Sequence, residues 1–72
     1  MNIPSSMPFR IEIWNPEGSR LEETLLASSH LLLAAAAFDE ACRHRPRSLV
    51  RLRNLSLIVR QSVPDPAIKP RL

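Results

Sequence analysis

Few side chains in this 72-residue chain have the types and spacing that metal or nucleophile chemistry requires. Cys42 and His44 form the closest pair of soft metal ligands, with His30 upstream, and this set lacks the four-ligand spacing of a zinc site. Residues two apart on a helix point to different sides, so Cys42 and His44 do not form a nucleophile and base either. We therefore expect neither a metal site nor a bound cofactor.

The remaining acid–base candidates are the neighbouring carboxylates Asp39 and Glu40. Consecutive positions on a helix diverge by about 100°, so these two groups cannot readily share one site. Phosphate loops and nucleophile elbows need at least two glycines, and Gly18 is the single glycine of the chain. The sequence therefore predicts a protein that is not an enzyme.

Charge is the most uneven property of the sequence. Residues 1–40 carry two bases and six acids, whereas residues 41–72 carry eight bases and one acid, within a net charge of +3. Six arginines lie between Arg43 and Arg60 without an intervening acid. Such a region could attract nucleic acid, an acidic protein, or the acidic half of another copy.

The first element that must position these groups is a strand at Phe9–Trp14. Apolar Phe9, Ile11 and Ile13 alternate there with Arg10, Glu12 and Trp14, which is the period of a strand buried on one face. Asn15-Pro16-Glu17-Gly18 follows directly. Pro presets its backbone for a turn and Gly accepts the left-handed conformation, so this segment predicts the turn of a hairpin.

Two interpretations remain open for the next segment. After the turn, Arg20 to about Ala27 could return as a second strand, with Leu21, Glu23, Leu25 and Ala27 on alternate positions. Alternatively, Ser19 could begin one long helix over residues 20–45, since helix propensity is good throughout. Such a helix would span roughly 39 Å and overhang short strands of about 20 Å. We favour the hairpin, with Ser28 or Ser29 capping a shorter helix.

Both interpretations include a helix from about His30 to Arg45, which Pro46 ends. One stripe at spacings of three and four is predicted to face the sheet: Leu31, Ala34, Ala35, Phe38, Ala41 and Cys42. Four further apolar residues fall outside this stripe: Leu32, Leu33, Ala36 and Ala37. The helix is therefore more apolar than a half-exposed helix of a monomer needs to be.

A second hairpin is predicted for Ser48–Arg53 and Ser56–Arg60, separated by Asn54 and Leu55, with Asn54 able to take a positive φ. The expected fold is α+β: a small β-β-α-β-β domain, an antiparallel sheet with one helix on one face. The alternative is β-α-β-β with one longer helix. Both arrangements leave one sheet face without a covering element.

The prolines and the single cysteine indicate the organisation and the compartment. Residues 1–8 and 63–72 are expected to be flexible tails, the second rich in proline, around a single domain at 9–62. The longest apolar run, Leu31–Phe38, is too short to cross a bilayer. Residues 1–10 lack the basic and apolar regions of a secretory signal, so we expect no export. Cys42 has no partner for an internal disulfide. We therefore expect a cytoplasmic protein that does not insert into membranes.

The alternation suggests two functions for the uncovered face. If Phe9, Ile11 and Ile13 face the helix, Trp14 and several arginines share the opposite surface. In the main hypothesis, the protein is a small non-enzymatic interaction module that forms a homo-oligomer or binds a protein partner through this uncovered face and through the spare apolar surface of the helix. Its candidate contacts are Trp14, Leu32, Leu33 and Ala36.

The alternative hypothesis is a basic nucleic-acid-binding module. Aromatic and guanidinium groups on an exposed sheet can stack bases and neutralise phosphates. The residues that would do so, within or near the Arg43–Arg60 region, are Trp14, Arg10, Arg51, Arg53 and Arg60. A response that weakens as salt rises would distinguish phosphate binding from association through apolar surface.

Overall fold

The computed structural model describes residues 6–64 and contains five elements: β1 (Phe9–Trp14), β2 (Leu21–Ser28), α1 (Leu31–His44), β3 (Leu49–Asn54) and β4 (Leu57–Gln61). The predicted α+β fold and its β-β-α-β-β order are confirmed. The alternative with one long helix is wrong, because β2 occupies the segment that this helix would have used. The predicted tails at 1–8 and 63–72 lie outside the described residues, except for 6–8 and 63–64.

The four strands form one antiparallel sheet in the order β2-β1-β3-β4. The two inner strands, β1 and β3, pair without a register shift, so that Ile11 lies opposite Leu52 and Ile13 opposite Val50. Opposite residues of an antiparallel pair project to the same face. These four side chains therefore form the floor of the core, and β2 and β4 become the two edges of the sheet.

The turn between β1 and β2 depends on Asn15. Its side-chain oxygen accepts hydrogen bonds from the backbone N–H groups of Ser19 and Arg20, at 2.9 and 3.1 Å. Gly18 donates its N–H to the carbonyl of Asn15 at 2.8 Å and has a φ of 73°. The prediction that Gly18 takes the left-handed conformation is confirmed. This turn directs the chain back along β1 as a strand.

The predicted alternation of β2 is wrong in detail. Two register shifts interrupt its pairing with β1, one between Ile11 and Glu12 and the other between Ile13 and Trp14. Each adds a residue to β2, and such a bulge reverses the faces of the residues that follow. Glu23 and Leu26 consequently lie opposite Ile13 and Ile11, on the helix side.

Helix α1 has nearly the predicted bounds, but its first turn is capped differently. Its N-cap is His30, whose side chain makes no capping hydrogen bond, so the predicted serine cap is wrong. The Ser28 hydroxyl instead accepts a hydrogen bond from the N–H of His30 at 2.9 Å. At its other end the helix stops at His44, before Pro46, and Arg43 and His44 lie where the helix dipole favours positive charge.

The helix packs on three of the four strands. Ala34 and Phe38 are its buried residues, and they complete a core with Ile11, Ile13, Val50 and Leu52. Among the described residues, the backbone of α1 does not come close to that of β4. Leu31, predicted to be in the core stripe, is 44% exposed. Within residues 6–64, no helix is long and apolar enough to cross a bilayer.

The turn of the second hairpin differs from the prediction at one residue. Leu55, rather than Asn54, has the positive φ, at 57°. Its N–H donates to the carbonyl of Pro8 at 3.0 Å, and its own carbonyl accepts from the guanidinium of Arg10 at 2.9 Å. These bonds connect the turn to the beginning of β1. Tertiary contacts therefore hold a conformation that leucine seldom adopts by itself.

Candidate functional site

The sheet face opposite the helix, here called the open face, carries the predicted set of charged and aromatic residues. In the register of β1 with β3, Arg10 lies opposite Arg53 and Glu12 opposite Arg51. Trp14 belongs to the same face because it follows Glu12 by two residues. The structure therefore brings together four of the five residues proposed for nucleic-acid binding.

Glu12 lies at the centre of the open face and is 1% exposed. Its carboxylate is 2.9 Å from Nε of Arg53 and 3.7 Å from Nε of Arg10, and it accepts a hydrogen bond from Nε1 of Trp14 at 2.9 Å. Neither arginine contact meets hydrogen-bond geometry, and both Nε atoms are buried. The attraction is therefore mainly between opposite charges, and one carboxylate holds two guanidinium groups.

Trp14 and Arg51 complete this network. The guanidinium carbon of Arg51 lies 4.7 Å from the centre of the Trp14 ring, and that of Arg53 lies 5.5 Å from it. Arg51 also donates to the carbonyl of Gly18 at 3.1 Å and to the side-chain oxygen of Gln61 at 2.7 Å. The arginines are thus paired with groups of the same chain, and the guanidinium groups of Arg51 and Arg53 lie against the ring of Trp14, which is half-buried.

Arg60, the fifth residue of that set, lies on the other side of the sheet. It is opposite Leu52, a core residue, and its guanidinium is 3.6 Å from the carboxylate of Asp39 on the helix. The cause is a register shift in the pairing of β3 with β4, between Leu52 and Arg53. Within the described residues, the arginines of the C-terminal half are therefore distributed over both faces of the sheet and do not form one continuous basic surface.

The outer surface of α1 carries the predicted apolar residues. Leu32 and Leu33 are 75% and 66% exposed, and Ala36 is exposed one turn further along. Ala37 is partly buried because it packs against the core. Three of the four predicted contact residues therefore lie on the helix. The fourth, Trp14, lies on the opposite side of the domain.

An apolar cavity of about 330 Å³ lies between α1 and β2, and we call it the α1–β2 groove. Its walls include Leu25 and Leu26 of β2 together with Ala37 and Ala41 of α1. Sequence reasoning missed this groove, because a regular strand would have placed only one of the two leucines on the helix side. Leu33 precedes Ala37 by one helical turn, so the exposed helix surface continues into the groove.

The rim of the groove carries charges of both signs. Glu40 accepts hydrogen bonds from His44, at 2.8 Å, and from Arg43, and these two groups hold the pKa of its carboxyl below the usual range. Arg45 is paired with Glu23 of β2 at 3.4 Å. Acidic and basic groups thus lie side by side along the rim.

The residues considered for catalysis and metal binding do not come together. Cys42 is partly buried beside Asp39, and burial, together with the charge of Asp39, raises the pKa of its thiol. A thiol that stays protonated is a poor nucleophile. In the described part of the chain, no three His, Cys, Asp or Glu side chains are grouped so that they could hold a metal ion.

The geometry therefore offers two surfaces of different character. On the open face, the charged groups are paired with one another and guanidinium groups lie against the indole ring. By contrast, α1 and its groove present exposed leucines, with acidic and basic groups along the rim. Comparison of the chain with protein-family models, with curated proteins and with solved structures finds no match to any of them.

Proposed function

We propose that the protein is a non-enzymatic interaction module that associates with a second copy of itself through α1. The observation that carries this proposal is the exposure of Leu32 and Leu33 on a helix whose other side already fills the core. Contiguous exposed apolar surface commonly marks an interaction site. A single free cysteine is compatible with a reducing compartment, so we place this activity in the cytoplasm.

The α1–β2 groove supports a second copy as the occupant. In a two-fold dimer the same surface is used twice, so any acid on it can approach a base of the partner. The rim meets this requirement, since Glu40 lies beside Arg43 and His44. The apolar parts also match, because Leu33 of one copy can enter the groove of the other while Ala36 lets the helices approach closely.

A charge placed on this surface is expected to prevent association. Burial of one leucine side chain contributes about 1.5–3 kcal/mol, so we expect Leu33→Glu to weaken dimerisation by at least about tenfold. The measurement is sedimentation equilibrium of the full chain over a range of micromolar concentrations. The native protein should exceed its monomer mass of 8.2 kDa, and Leu33→Glu should have a lower average mass than the native protein at the same concentration.

The matched control is Val63→Glu, which adds the same charge at a residue that is also highly exposed. Its association should equal that of the native chain. Circular dichroism establishes that both variants fold. A native protein that remains at 8.2 kDa throughout, or a Val63→Glu variant that dissociates as much as Leu33→Glu, would contradict the proposal.

The nucleic-acid alternative has weaker support, because guanidinium groups of the chain already lie against the indole ring and have partners within the chain. We therefore expect the fluorescence of Trp14, the single tryptophan, to stay unchanged when single-stranded or duplex DNA is added at low salt. Saturable quenching that disappears as salt rises would instead favour phosphate binding. Free tryptophan in the same titration corrects for absorption by the DNA.

A further inference from the structure

The two edges of the sheet are both accessible. All of β4 is exposed, and so is β2 from Leu21 to Leu26. An edge strand presents a row of backbone N–H and C=O groups that can pair with another strand. Each of these edges also carries exposed leucine or isoleucine side chains and a charge, acidic on β2 and basic on β4.

The directions of the two edges allow the sheet to continue from one copy to the next. Every neighbouring pair in the order β2-β1-β3-β4 is antiparallel. The two edge strands therefore run in opposite directions. If a second copy is placed beside the first by translation, its β2 lies antiparallel to β4 of the first copy and the helices remain on the same side.

The side chains of the two edges match in register. On β2, Glu23 and Leu26 lie on the helix side. On β4, Arg60 lies opposite Leu52 on that same side. Leu57 lies opposite Asn54, whose neighbour on β1 is Phe9, a partly buried residue that packs against the core. Each strand has one extra residue between its two helix-side positions, so both pairs are three residues apart. Antiparallel pairing then joins Glu23 to Arg60 and Leu26 to Leu57 simultaneously.

The alternative pairings of like edges match less well. When two β2 strands pair so that their helix-side positions lie opposite each other, Glu23 lies opposite Leu26. In the corresponding β4–β4 pair, Arg60 lies opposite Leu57. A bulge usually protects an edge because it disturbs the spacing that a partner strand needs. Here the bulges of β2 and β4 compensate each other. Of the three pairings, the mixed one sets charge against opposite charge and leucine against leucine.

We propose that copies of this chain join head to tail, with β4 of one copy beside β2 of the next, through Glu23–Arg60 and Leu26–Leu57. This contact uses residues other than Leu33 and extends the self-association proposed above from a two-fold dimer to a row of copies. Contacts between two different surfaces do not close by themselves unless the rotation forms a ring. The pairs of Glu23 with Arg45 and of Arg60 with Asp39 are exposed, at 3.4 and 3.6 Å, and can exchange for the new pair.

A charge exchange tests this arrangement. Glu23→Arg and Arg60→Glu are each expected to associate poorly through the sheet edges, because each variant has edges of like charge. In a mixture, the arginine introduced at position 23 of one variant meets the glutamate introduced at position 60 of the other, while the native Glu23 and Arg60 meet in the next contact. We expect association to be about fivefold tighter in the equimolar mixture than in either variant alone. Sedimentation velocity measures this, with circular dichroism establishing that each variant folds.

The same mixture in a Leu33→Glu background separates the two proposals. If the mixture of Leu33→Glu variants is heavier than either component alone, the edge contact forms without the helix contact. A mixture that is no heavier than its components in either background overturns the edge contact and leaves the helix dimer unaffected.

Disulfide trapping gives a second, independent measurement. Glu23→Cys with Arg60→Cys, in a Cys42→Ser background, should yield a ladder of dimers, trimers and larger species on oxidation. The two single-cysteine variants should form no covalent oligomers. A covalent dimer of Glu23→Cys alone, at the yield of the double variant, would place two β2 strands together and overturn the proposal.

Discussion

Replacing Glu12 by alanine is expected to lower the free energy of unfolding by about 3 kcal/mol. The carboxylate is fully buried at the centre of the open face and is the partner of Arg10, Arg53 and the indole N–H of Trp14. Without it, two partly buried guanidinium groups face each other without a compensating charge. The value lies at the lower end for a broken buried pair because both arginine side chains reach solvent. Urea unfolding followed by circular dichroism measures it.

Two further variants make the Glu12 result interpretable. Glu12→Gln keeps an oxygen that can accept a hydrogen bond from Trp14 but removes the charge. Its free energy of unfolding should therefore fall between that of the native protein and that of Glu12→Ala. Glu22→Ala removes an exposed carboxylate that is 3.6 Å from Arg20, and its loss should stay below about 1 kcal/mol. A Glu12→Ala loss equal to that of Glu22→Ala would show that the network does not depend on its carboxylate.

The importance of Glu12 depends on information that the sequence holds only in part. Alternation in Phe9–Trp14 correctly predicts that Arg10, Glu12 and Trp14 share one face. It does not reveal that Glu12 is buried, because this requires the register of β1 with β3, which places arginines on the neighbouring strand. The sequence therefore indicates that a charge network between strands can form. Which groups meet in it depends on how β1 and β3 pair in the folded structure.

β2 shows how local turn chemistry can override helix propensity. Glu22, Glu23 and Leu25 favour a helix, yet the segment is a strand because Asn15 and Gly18 direct the chain back along β1. The two bulges in this strand are not visible in the sequence, since no glycine marks them. The bulge at Leu25 places both Leu25 and Leu26 in the wall of the α1–β2 groove, which explains why the groove could not be predicted although the hairpin could.

Leu31 and Asp39 show which residues of α1 stay exposed. The helix covers β2, β1 and β3 but not β4, and Asp39, which borders the buried side of the helix, is exposed and contacts Arg60. Leu31 lies in the first turn, about two turns before the buried Phe38 and on the same side of the helix, yet it is 44% exposed. Helical periodicity shows which residues share one side of a helix, but only the residues that lie over the sheet are buried. The position of the helix on the sheet, rather than its own sequence, therefore decides which of the flanking residues are buried.

Replacing Phe38 by alanine is expected to cost about 3–5 kcal/mol of unfolding free energy. Phe38 is 7% exposed and is the one large side chain among the buried residues of α1, the other being Ala34. It packs on the floor of the core formed by Ile11, Val50 and their neighbours. Its removal leaves a cavity and detaches most of the apolar contact of the helix. In a domain of this size, such a loss approaches the whole folding free energy.

The control for Phe38→Ala is Leu32→Ala, a truncation on the exposed side of the same helix. In dilute solution its loss should stay within about 0.5 kcal/mol, because the side chain is already hydrated. Protein concentration distinguishes the effects of the two substitutions. Burial of the outer helix surface against a second copy stabilises the native chain as concentration rises. The Leu32→Ala loss should therefore grow with concentration, whereas the Phe38→Ala loss should be large even in dilute solution. A Leu32→Ala loss that stays constant over the range in which the protein associates would remove Leu32 from the interface.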